Sequence, residues 1–163
     1  MVKRVSLTTA SCPVARSLDA IGDWWSLLIV RDALDGLRRF SEFQKSLGIA
    51  KGILTTRLRN LVDLGILETA PASDGSAYQE YVLTKKGREL FLVVVSLRQW
   101  GEDNCFKRDE AYSVLVDNAS GRPVGRLELR ARDGRVLTST DATVKKIEPP
   151  RKRGAKPVQA KAS

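Results

Sequence analysis

Ser41-Glu42-Phe43-Gln44-Lys45-Ser46-Leu47-Gly48-Ile49-Ala50-Lys51-Gly52-Ile53-Leu54-Thr55-Thr56-Arg57-Leu58-Arg59-Asn60-Leu61 is the stretch that decides the fold. Its opening, Ser41-Glu42-Phe43-Gln44, has capping-box spacing and predicts a short helix from about Glu42 to Leu47. Gly48-Ile49 then makes a tight turn, and a second helix follows from about Lys51 to Leu64. Two short helices joined by so brief a glycine turn form a helix-turn-helix.

Working outward, Gly65 closes the second helix and Ile66–Thr69 reads as a strand. Pro71–Ala77 is rich in turn formers, and Tyr78–Leu83 returns as a strand, so a hairpin follows the helix pair as a wing. On the other side, Pro13 opens a helix to about Ile21 with Val14, Leu18 and Ile21 inward. Trp24–Leu34, apolar on several sides, reads as the central core helix. Thr84 caps a long helix, about Lys85–Asp103, whose Leu90, Phe91, Val94, Leu97 and Trp100 recur at spacings of three and four, apart from the adjacent pair Leu90-Phe91. That apolar surface exceeds what a small head can cover, which suits a dimerisation element. Beyond it, alternating runs around the turns Asp117–Gly121 and Asp133-Gly134 predict three or four short antiparallel strands. The expected fold is α+β: a winged helix-turn-helix domain, a long C-terminal dimerisation helix and a small antiparallel β appendage. The organisation expected is an arm over 1–11, the main domain over 12–104, the appendage over 105–147 and a disordered basic tail over 148–163.

Of the 163 residues, 42% are apolar and 29% charged, the balance of a globular protein. No apolar run approaches a bilayer span, and no apolar stretch follows Lys3-Arg4 to make a signal peptide. A cytoplasmic location without membrane contact is expected. The chain has no histidine, and its two cysteines, Cys12 and Cys105, lack metal-ligand spacing. With the commonest general base absent, an enzyme is not expected, nor a metal or cofactor. The net charge of +9 is concentrated. Between residues 37 and 60, six cations (Arg38, Arg39, Lys45, Lys51, Arg57, Arg59) stand against Glu42 alone, a net of +5. Such clustering is an electrostatic footprint for a polyanion.

On a helical wheel with Leu54 at zero, Leu58 and Leu61 fall within about 40° of it. Gly52, Thr56, Arg59 and Asp63 lie opposite, flanked by Thr55 and Asn60. Arg suits guanine, Asn adenine, and Thr either a base edge or a thymine methyl, so this face is suited to the major groove of double-stranded DNA. Lys51 and the first amides of the helix, Gly52 among them, are placed for a phosphate. Arg38, Arg39 and Ser41 are placed to grip the backbone. The bland reading of each residue is a solvated surface. The competing function is a winged-helix module whose exposed helix meets protein.

The spacing of several segments resembles the HxlR family: Cys12-Pro13-Val14-Ala15-Arg16-Ser17-Leu18, Ile21-Gly22-Asp23-Trp24-Trp25, Leu28-Ile29-Val30-Arg31-Asp32, Arg39-Phe40-Ser41-Glu42-Phe43, Leu54–Leu61, Gly65-Ile66-Leu67, Tyr81-Val82-Leu83-Thr84, and the Gly87 to Trp100 helix. The resemblance spans Cys12 to Asn104. It implies a MarR-related, homodimeric transcriptional regulator on a pseudo-palindromic operator, with first and last helices, through Leu18, Leu90, Val94, Leu97 and Trp100, building the dimer. Ala50-Lys51-Gly52 replaces the family's Ser-Pro and basic residue, which removes a serine cap worth about 1 kcal/mol. The wing loop carries Asp74 and lacks the arginine common there, so a weak minor-groove contact is expected.

The resemblance also makes Cys12 a candidate redox sensor, since some members sense oxidants at this position. A thiol beside a helix N-terminus, with Arg16 one turn on, is favoured as thiolate. A small packed residue at a dimer contact is the alternative. A small-molecule or oxidant effector is therefore a candidate partner. Cys105 reads as incidental. In the appendage, Arg126, Arg130 and Arg132 share one strand face as solvated residues, and the tail is expected to serve as a flexible phosphate arm.

Overall fold

The computed structural model describes residues 6–147. The chain divides into two compact units, Met1–Gly125 and Arg126–Ser163. In the first unit the order is α1 (Pro13–Ile21), α2 (Trp24–Leu34), α3 (Phe40–Leu47), α4 (Lys51–Asp63), β1 (Leu67–Pro71), β2 (Gln79–Leu83), α5 (Lys85–Arg88) and α6 (Phe91–Asn104).

Local chemistry sets most of these ends. Pro13 stands in the first turn of α1, and Gly22 closes it by donating to the Leu18 carbonyl. Asp23 caps α2, accepting from the Ser26 amide at 3.1 Å. Gly48, at φ +60°, ends α3 in the left-handed region that favours glycine. Ala50 caps α4 with no side-chain bond, as the missing serine implied.

α3 starts two residues earlier than its hydroxyl suggested. Arg39 is its capping residue, and Glu42 reaches back to accept from the Arg38 and Arg39 amides, each at 2.8 Å. The acid rather than Ser41 organises this end, because a carboxylate takes two orphan amides where a hydroxyl takes one.

The core gathers one face of each head helix. Ile29 and Val30 of α2, Phe43 of α3, and Leu54, Leu58 and Leu61 of α4 are all 0% exposed, and Ile66 and Leu67 close the cluster below β1. β1 and β2 pair antiparallel, from Leu67 opposite Leu83 to Pro71 opposite Gln79. The Tyr81 amide also bonds the Arg38 carbonyl at 2.8 Å, tying the wing to the segment before α3.

The single long helix expected over Lys85–Asp103 is two helices. Thr84 does cap its start, accepting from the Gly87 amide at 3.1 Å and donating to the Gly65 carbonyl at 2.6 Å. Gly87 lies so close to β1 that a Cβ there would stand 2.2 Å from the Ile66 carbonyl oxygen. Arg88 further pins α5 to the Leu83 carbonyl. α6 must meanwhile bury Val95 and contact α2. One straight rod cannot satisfy both dockings, and a tight turn at Glu89–Leu90 separates them.

The expected β appendage is also corrected. Among the described residues, 105–147 hold no regular strand, only the isolated bridges Val116 with Pro123 and Arg130 with Val136. Both forecast turns are present, with Gly121 and Gly134 at positive φ. The strands do not extend because Val114, Leu127, Leu129 and Val136 stay exposed, and a two-stranded ribbon without a covering layer is marginal in water. Residues 105–125 fall in the first unit, where Arg98 bonds the Ser113 carbonyl and Gln99 the Gly125 carbonyl. Within the second unit, Ala131 and Leu137 amides bond Arg135 and Leu129 carbonyls around the Asp133-Gly134 turn. The phosphate arm forecast for the tail lies outside the described residues. No helix among those described is long and apolar enough to cross a membrane.

Candidate nucleic-acid interface

α4 divides as its wheel requires. Leu54, Leu58 and Leu61 face the core, while Lys51, Gly52, Thr55, Thr56, Arg59 and Asn60 are all exposed. Thr55 and Thr56 donate their hydroxyl protons to the Lys51 and Gly52 carbonyls at 2.9 and 3.0 Å. The hydroxyl oxygens keep acceptor capacity, and the donors are spent within the helix. Arg57, at the edge of the leucine stripe, is half-buried, reaches Asp23 at 3.2 Å and ties α4 to the start of α2. Ser41 is exposed at the start of α3.

Arg38 and Arg39 are less free than the sequence suggests. Arg39 bonds Asp74 of the wing loop at 2.5 Å and lies 3.6 Å from Glu80 of β2, while Arg38 lies 3.7 Å from Glu80. Glu80 is only 3% exposed and accepts from the Ser73 amide and hydroxyl at 3.3 and 3.0 Å. The hydrogen bond from Arg39, then those from Ser76, hold the Asp74 carboxyl well below its ordinary range, and Asp74 in turn raises Arg39. Burial pushes Glu80 up, but the Ser73 bonds and both arginines outweigh it and leave it lowered. The Arg38 and Arg39 amides lower Glu42. For carboxyls depressed on folding, the contribution is complete above the ordinary carboxylate range and is lost as pH falls through the folded values. Acid therefore loosens the wing from α3. The sequence held no signal for this network, because its members stand 35 residues apart.

Cys12 is exposed at the N-cap of α1, in extended conformation and without a side-chain cap bond. Arg16 directs its Nε to the Ala10 carbonyl at 2.5 Å. Cys105 is exposed at the end of α6, and both thiols are free. Of the residues expected at a dimer contact, Leu18 is 51% exposed, Leu97 50% and Trp100 63%. Leu90 and Val94 instead lie half-buried against the head core. Val14 and Leu18, expected inward on α1, are exposed, and only Ile21 of the three is buried; Leu92 and Val93 of α6 are exposed as well. The sequence reading of α5 and α6 merged two stripes, one inward and one outward, on what it took for a single helix.

A helix pair whose second member turns its polar side outward, followed by a stapled two-stranded wing, defines a winged helix-turn-helix protein. Residues 20–109 match the family described as HxlR-like helix-turn-helix, and the chain belongs to that family. It is 44% identical over 90 residues to MT3179, an HTH-type transcriptional regulator of Mycobacterium tuberculosis (strain CDC 1551 / Oshkosh), which covers 55% of this chain. The chain spans only 57% of the length of that relative. YybR, an HTH-type transcriptional regulator of Bacillus subtilis (strain 168), is 34% identical over 103 residues, 63% of this chain and 82% of YybR. The crystal structure of PA1607, a candidate transcription factor, superposes with a TM-score of 0.83 at 57% identity, over 88% of this chain and all of PA1607. The redox regulator HypR in its oxidized form gives 0.52 at 36% identity, over 57% of this chain and 97% of HypR. The fold and the family match together make this a helix-turn-helix protein of the HxlR-like family.

Proposed function

We propose that the protein binds a pseudo-palindromic DNA operator as a homodimer. Thr55, Thr56, Arg59 and Asn60 read base edges from the major groove. Lys51, the Gly52 amide and Ser41 position the phosphates, with Arg38 and Arg39 beside them. The observation that carries this reading is the outward polar face of α4 over a fully buried leucine stripe. Exposed Leu18 on α1 and exposed Val93, Leu97 and Trp100 on α6 support the dimer, since large apolar side chains left in water gain by association. Two recognition helices then enter successive major grooves about 34 Å apart. Titrating a selected genomic operator against random duplex tests this, alongside sedimentation of the free protein. The expected result is a dimer with clear operator preference. Equal affinity for every sequence at every salt concentration overturns it and leaves a protein-interaction module.

The Arg39–Asp74 pair adds a consequence. A phosphate approaching Arg39 competes with an internal carboxylate, so Asp74→Asn is expected to raise affinity for random DNA about twofold to fivefold at low salt. Fluorescence anisotropy of a labelled duplex checks it, and an unchanged or lower affinity removes Arg39 from the phosphate contacts.

A second reading is favoured by the exposure of Cys12 at a helix N-terminus and by the redox regulator HypR among the similar structures. Cys12 then answers oxidants or electrophiles and alters operator affinity. Operator binding of the Cys12→Ser variant that responds to oxidant like the parent protein excludes it.

A further inference from the structure

The chain's charge is unevenly divided between its two units. Residues 126–163 carry eleven cations against four acids, +7 of the net +9. The unit that holds the helix-turn-helix keeps only +2, because acids elsewhere in it offset the basic helix pair. The family match ends at residue 109, so the basic unit is an addition to the winged helix. A run of cations attracts a polyanion only where neighbouring acids leave it unneutralised.

Within the second unit the acids are spent internally. Its chain reversal at Asp133-Gly134 is held by the Ala131 amide on the Arg135 carbonyl at 2.8 Å and the Leu137 amide on the Leu129 carbonyl at 2.7 Å. Glu128 pairs with Arg130, which also donates to the Gly134 carbonyl at 2.8 Å. Asp133 accepts from the Arg135 amide at 3.0 Å and lies 3.8 Å from the same residue's guanidinium. Asp141 accepts from the Thr138 amide and hydroxyl. Each acid between residues 126 and 147 is thus engaged inside the unit. Arg132, Lys145 and Lys146 are exposed, and none of them makes a hydrogen bond or ion pair among the described residues.

We propose that the second unit is a sequence-independent contact for the DNA backbone, made through Arg132, Lys145 and Lys146. A cation without an internal carboxylate can replace a counterion at a phosphate. Duplex DNA is the polyanion favoured, because the first unit belongs to a helix-turn-helix family and tethering raises the local concentration of that same ligand. The contact rests on the DNA-binding reading above but not on operator preference. Preference is a ratio of affinities, whereas this contact shows in the salt slope on random duplex, so either can fail alone.

The full chain carrying Arg132→Gln, Lys145→Gln and Lys146→Gln is titrated with random-sequence duplex at several salt concentrations, by fluorescence anisotropy. Each phosphate contact contributes about 0.9 to the slope of log affinity against log salt, so a fall of about two to three is expected. The preference for operator over random DNA stays as in the parent protein. Lys107→Gln, Arg108→Gln and Arg122→Gln together remove the same charge from the first unit and are expected to leave the slope nearly unchanged. Should Arg132→Gln disturb the chain reversal, Lys145→Gln with Lys146→Gln gives a fall of about two. An unchanged slope in both second-unit variants overturns the contact, and so does an equal fall in the first-unit control. Cosedimentation of the parent, but not of the triple variant, with phosphatidylglycerol vesicles, at an unchanged DNA slope, assigns the cations to a membrane surface instead.

Discussion

Leu58→Ala is expected to cost about 3 kcal/mol of folding free energy, the range for a fully buried leucine whose surroundings close only partly. Leu58 is 0% exposed at the middle of α4, in one cluster with Ile29, Val30 and Phe43. The loss combines the transfer of the side chain with a cavity at the junction of α2, α3 and α4. Urea denaturation followed by far-ultraviolet circular dichroism measures it, as a lower midpoint at unchanged slope. A loss under about 1 kcal/mol contradicts the placement of this leucine in the core. Because the same helix carries the outward face, the variant's DNA affinity should fall only as far as its folded fraction falls. The leucine holds the helix and touches no base.

Arg59→Ala addresses the other side of that helix. A guanidinium reading guanine contributes discrimination, so the variant is expected to lose about tenfold to a hundredfold of its preference for operator over random DNA. Its affinity for random duplex should change far less. Arg39→Ala has the contrasting signature, lowering both affinities together and reducing the salt slope by about one unit. Competition titrations at several salt concentrations separate the two. If the signatures exchange, the assignment of base and phosphate contacts along α4 and α3 is reversed.

Much of this was legible before any coordinates. Pro13 and Gly22 mark the ends of α1, and a three-leucine stripe opposite Thr56 and Arg59 orients α4, because helix geometry places residues three and four apart on one face. Turn chemistry located the wing loop and both later turns. The cap of α2 has a signal in the sequence too, an aspartate three residues before Ser26, which helix periodicity alone does not register. The division of α5 from α6 had no local mark, since Glu89 and Leu90 are good helix formers.

What the sequence alone determined is the identity of the elements and the polarity of their faces, both consequences of side-chain periodicity along one chain. Tertiary structure decided which polar groups remain available. Arg57 was drawn to Asp23 and Arg39 to Asp74, while Leu90 and Val94 turned inward. It also decided that apolar alternation beyond residue 105 yields bridges in place of strands. Pairing and burial depend on what stands opposite in space, and neighbours in the chain do not specify that.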